Sequence, residues 1–118
     1  MIRVFLLAAV WIASLGAQNA DWKIAIEPKG ALSATKPVPV HVTIKDAKGA
    51  AVPGAQVELI LTMVDMDHGE TKVPATQVKP GVYEAKPKFM MDGKWNIEVR
   101  AKKGSTAGGS KQQFEVAE

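Results

Sequence analysis

The chain has 118 residues, a net charge of +3 from 15 basic and 12 acidic side chains, and no cysteine. Arginine occurs only at positions 3 and 100. The charge is therefore carried by scattered lysines, which argues against bidentate reading of phosphates or bases and hence against a nucleic-acid partner. The lack of cysteine excludes disulfide stapling and thiolate metal sites, so stability must come from a hydrophobic core.

Met1 to Ala20 reads as a secretory signal, with Arg3, an apolar run from Val4 to Leu15, and small residues Ser14, Gly16, Ala17 and Ala20. Cleavage is expected between positions 16 and 20, leaving residues 21–118 as one domain. The apolar run is short of the roughly 20 residues a membrane helix needs, and an uncleaved anchor is the alternative. The expected location is periplasmic or secreted.

Beyond the signal the pattern has period two, broken by Gly, Pro and Asp, with no helical stripe. Trp22, Ile24 and Ile26 alternate with polar residues before Pro28-Lys29-Gly30. Val38, Val40, Val42 and Ile44 form a second strand whose other face carries His41 and Thr43; mid-strand among polar neighbours, His41 is expected at the surface. After turns at Asp46–Gly49 and Val52–Ala55, Val57, Leu59, Leu61 and Met63 share one face. Asp65 to Glu70 is a polar loop, Thr71 to Val78 a weaker strand, and Lys79-Pro80-Gly81 a turn. Tyr83, Ala85, Pro87, Phe89 and Met91 then share a face, and Asp92-Gly93 signals a tight hairpin. Trp95, Ile97, Val99 and Ala101 follow, then a flexible Gly/Ser-rich loop from Lys103 to Ser110, and a last strand at Phe114 and Val116. Seven short strands so spaced predict an all-β, seven-stranded antiparallel immunoglobulin-like β-sandwich without the cysteine pair of true immunoglobulin domains.

The chemistry-bearing feature is sulfur. Four of the five methionines lie in Met63-Val64-Asp65-Met66-Asp67-His68 and in Met90-Met91; the fifth is Met1. Thioethers are soft donors suited to Cu(I), and imidazole accepts Cu(I) and Cu(II). Met63 and Met91 end inward-facing series, so packing competes with ligation at both. Met66 and His68 stand in a polar loop, where no packing role explains a Met, and their i, i+2 spacing lets both side chains face one way. Met90 follows Lys88 outward. In a sandwich the strands ending at Met63 and Met91 run to one pole, so Met66, His68 and Met90 or Met91 are expected around one ion, with Met63 a further candidate ligand. Asp65 and Asp67 could add oxygen ligands for Cu(II). No nucleophile elbow, triad or phosphate loop is present, and a catalytic role is not expected.

Lys45-Asp46-Ala47-Lys48-Gly49, Val52-Pro53-Gly54-Ala55-Gln56-Val57 and Leu61-Thr62-Met63 leading to Met66 and His68 resemble the YtkA-like domain family. Pro80-Gly81-Val82-Tyr83 and Phe89-Met90-Met91-Asp92-Gly93-Lys94-Trp95 complete the likeness, which spans Trp22 to Lys102. FixH-like proteins, associated with copper handling in oxidase assembly, carry a related domain. The resemblance implies an exported β-sandwich that binds or delivers copper, and points to Met63, Met66, His68 and Met91. The expected partner is a copper-accepting or copper-donating protein, with no small-molecule substrate. The alternative is an immunoglobulin-like interaction or scaffolding module whose methionines are core and surface filler.

Overall fold

The computed structural model describes residues 18–19, 21–67 and 69–118; the expected signal segment, apart from Gln18–Asn19, and the candidate ligand His68 lie outside the described residues. Eight strands follow in chain order: β1 (Gln18–Asn19), β2 (Lys23–Pro28), β3 (Val40–Lys45), β4 (Gln56–Met63), β5 (Thr71–Lys79), β6 (Val82–Ala85), β7 (Gly93–Lys103) and β8 (Thr106–Val116). Seven of them, β2 to β8, pair antiparallel; the two-residue β1 adds a parallel pairing to β8. The architecture is the all-β immunoglobulin-like sandwich that the alternation predicts.

One layer runs β1-β8-β7-β4-β5 and the other β5-β6-β3-β2. β5 belongs to both. Thr71 to Ala75 pair with β4, whereas Thr76 to Lys79 pair with β6 across an irregularity at Gln77/Lys79. On the opposite margin Ser33 forms a bridge to Ala117, with Ala34 N donating to Ala117 O at 2.7 Å and Ala117 N to Leu32 O at 2.8 Å.

The core follows from period two, because alternate side chains of β3, β4 and β7 meet between the layers. Val40, Val42, Ile44, Leu59, Leu61, Ile97 and Val99 are fully buried there. Each such side chain contributes about 1.5–3 kcal/mol through loss of apolar surface from water.

Three expectations fail at the connections. Lys103 to Ser110 is no loop. Gly104 (φ 61°) and Ser105 make a tight turn, and β8 starts at Thr106 in full register with β7. Its glycines are contact positions: a Cβ on Gly108 would lie 2.8 Å from Trp22 Cε3, and one on Gly109 3.0 Å from Val99 O. Glycine in a strand often marks such close approach. Nor does Asp92-Gly93 close a hairpin, since β6 pairs with β3 and β5 while β7 pairs with β4 and β8. The chain crosses there between layers. Finally, hydrogen-bonded pairing ends at Ala85, two residues before Pro87, which has no N–H to give a ladder. The facing still alternates beyond it: Pro87 and Phe89 are buried, Lys86, Lys88 and Met90 exposed.

Candidate metal site

The antiparallel register puts the end of β4, the start of β5 and the start of β7 at one pole, with Met63 opposite Trp95 and Leu61 opposite Thr71, and the chain leaving β6 at Ala85 runs toward that pole to reach Gly93. The 64–70 connection and the Met90–Asp92 end of the 86–92 connection therefore lie at the same end. Val64 N donates to Lys94 O at 3.0 Å, fastening the first connection to the strand that follows the second.

In the first connection Asp67 Oδ1 accepts from Gly69 N at 2.9 Å, and Gly69 takes φ 77°. This Asx-type turn folds the loop back toward β5. It leaves an open concavity of about 420 Å³ lined by Met63, Met66, Asp65, Asp67 and Glu70 among others. Met66 is 48 % exposed, whereas Met63 is half-buried against the core. The Met63 methyl end lies against Gly93, where a Cβ would come within 3.1 Å of Cε.

In the second connection Trp95 Nε1 donates to Met91 O at 3.0 Å, and the Trp95 ring meets Phe89 edge-on with centroids 5.2 Å apart. These contacts hold Met91 half-buried against the core. Met90 turns outward and is 62 % exposed. The structure thus brings Met63 and Met66 into one concavity and sets the Met90-Met91 segment at the same pole. Neither Met90 nor Met91 lines that concavity.

Among the described residues no three His, Asp or Glu side chains are grouped to hold an ion. The concavity itself joins the thioethers of Met63 and Met66 with the carboxylate-bearing residues Asp65, Asp67 and Glu70.

Two features elsewhere have no counterpart in the sequence reading. His41, expected as a plain surface residue, is partly covered on the outer face of β3, and its Nε2 lies 2.9 Å from Glu84 Oε2, with Glu27 in register on the other side. A shallow groove of about 590 Å³ crosses β8, β7, β4 and β5 near Glu58, Pro74, Arg100, Lys102 and Gly109. Alternation told which way these side chains face; which strands are neighbours is a long-range matter.

Fold and pole together define an immunoglobulin-like sandwich with a thioether-bearing end. Residues 16–100 match the profile of the YtkA-like family, and the chain belongs to that family. No curated protein matches it. Three solved structures share the fold at low identity. The Lin-41 filamin domain is 16 % identical with a TM-score of 0.57, covering 86 % of this chain and 97 % of its own. FetP from uropathogenic E. coli strain F11 is 15 % identical with a TM-score of 0.56, covering 87 % and 93 %. The ZirS C-terminal domain is 12 % identical with a TM-score of 0.54, covering 100 % and 88 %.

Proposed function

We propose that this chain is an exported copper-binding domain that buffers or hands on the metal without catalysis. The observation that carries the reading is the shared concavity of Met63 and Met66 at an exposed pole, with Met90 and Met91 on the adjoining connection. His68, two positions beyond Met66, supplies the imidazole of the set. Met66 is the thioether with no core to serve, Met63 and Met91 combine packing with reach, and Met90 is the outermost. Neutral sulfur ligands hold Cu(I) without the charge that would lock it in place, which suits transfer to a copper-accepting protein or receipt from a donor. Asp65 supplies a carboxylate for Cu(II), while Asp67 already has one oxygen engaged by Gly69 N.

Competition for Cu(I) with a chromophoric chelator, using the purified protein under anaerobic conditions, tests this. We expect one equivalent to be withdrawn from the chelator, and Met66→Ala combined with His68→Ala to weaken retention by about tenfold or more. Equal retention by the double variant, or none by the parent, sinks the copper site. The second result would favour the interaction-module reading.

A further inference from the structure

The fold gives the four thioethers of the methionine pole unequal access to solvent. Met66 and Met90 are exposed, whereas Met63 and Met91 are half-buried against the core. The Met63 methyl end is packed toward Gly93, and the Trp95 indole holds the Met91 backbone at 3.0 Å. Of the two exposed sulfurs only that of Met66 belongs to a residue lining the concavity shared with Met63. Met66 is thus the one methionine that lines the concavity and also lies open to small solutes. A dissolved oxidant must reach the sulfur lone pair, so thioether oxidation follows exposure.

We infer that Met66 is an oxidation switch of this site: a peroxide converts its thioether to the sulfoxide, and the metal is released. The inference rests on the copper reading above. The sulfur lone pair attacks one peroxide oxygen and the O–O bond breaks. The departing hydroxide takes the proton from the transferred oxygen and leaves as water. Sulfur is oxidised by two electrons and the peroxide is reduced by two. The sulfoxide presents oxygen, a hard donor, where Cu(I) requires soft sulfur. Metal and oxidant compete for the same lone pair, so an occupied site is shielded and an empty one is not. The fold tolerates the change, because Met66 stands in a loop and serves no core. The same oxidation at Met63 or Met91 would set a polar group against the core, at a cost in stability. Burial of those two therefore confines the chemistry to a residue that the fold does not need.

Limited treatment of the purified, metal-free protein with hydrogen peroxide, followed by peptide mass spectrometry, tests it. Met66 and Met90 are expected to gain oxygen at least about fivefold faster than Met63 and Met91. Saturation with Ag(I), a soft ion used in place of redox-active copper, should slow oxidation of Met66 by about tenfold. Protein oxidised at Met66 should retain Cu(I) at least about tenfold more weakly in the chelator competition, with thermal unfolding unchanged. Methionine sulfoxide reductases should restore retention. Met90→Leu should lose retention on oxidation as the parent does. Equal oxidation rates at the four sulfurs, or full retention with Met66 converted, overturn the inference and leave the copper reading standing. A Met90→Leu protein whose retention no longer falls on oxidation also overturns it, since Met90 is then the switch. No retention by the untreated parent sinks the copper reading and this inference with it.

Discussion

The two poles of the sandwich are built on opposite principles. At the pole away from the methionines the β3–β4 connection is tied down repeatedly. The buried Tyr83 hydroxyl donates to Val52 O at 2.7 Å and accepts from Ala55 N at 2.9 Å, pinning the β3–β4 connection. Gln77 Oε1 accepts from Gly54 N at 2.7 Å, and Asp46 Oδ1 accepts from Lys48 N and Ala50 N. At the methionine pole the described residues of the loop make one Asx-type turn and one bond to β7, while Met66, Asp65, Asp67 and Glu70 are exposed. One end holds connections that would otherwise carry unsatisfied backbone groups; the other leaves donor atoms accessible. The tied connection and the exposed thioether are thereby separated by the length of the strands.

That separation can be broken by substitution. The largest effect is expected from Gly81→Ala. Gly81 has φ 79°, and a Cβ there would lie 2.7 Å from Ala51 Cβ, so backbone strain and overlap add to a loss of about 3 kcal/mol in denaturant unfolding. Tyr83→Phe should cost about 2 kcal/mol by leaving Val52 O and Ala55 N without a partner, with an unchanged denaturant slope. Neither should alter copper retention; a tenfold change in either variant would show that the poles are coupled. Gly93→Ala sits between the regimes. Its φ of 130° and the nearby Met63 methyl imply about 1 kcal/mol lost, and displacement of Met63 should weaken copper retention measurably. Met66→Ala should be the mildest in stability, within about 0.5 kcal/mol of the parent, because the side chain is about half exposed in a loop. A loss above 1 kcal/mol there would mean that Met66 is a packing residue after all.

What the sequence revealed divides along the same line. Strands and their inward faces were legible because period two is a local signal: Val57, Leu59 and Leu61 are buried as expected, and Met90 and Met91 differ in exposure as their positions require. The start of β8 was not legible. Gly108 and Gly109 read as flexible until Trp22, more than 80 positions earlier, is known to lie across Gly108. Asp92-Gly93 has hairpin chemistry, yet only the partners of β6 and β7 reveal a crossing between layers. At the candidate site, the polar company of Met66 was enough to place it in solvent. The contact of Met63 with Gly93 depends on β4 and β7 being neighbours, which no local pattern encodes.

The shared strand β5 gives the sandwich the mechanics of a bound book. β5 is its spine, since one backbone carries hydrogen bonds into both covers. Among the described residues the opposite margin is held by clasps: Trp22 across Gly108 at one end and the Ser33–Ala117 bridge at the other. Breathing of the fold is therefore a swing of the covers about β5. Amide exchange should report it first at Ala34 and Ala117, well before the β4–β7 ladder at the centre yields.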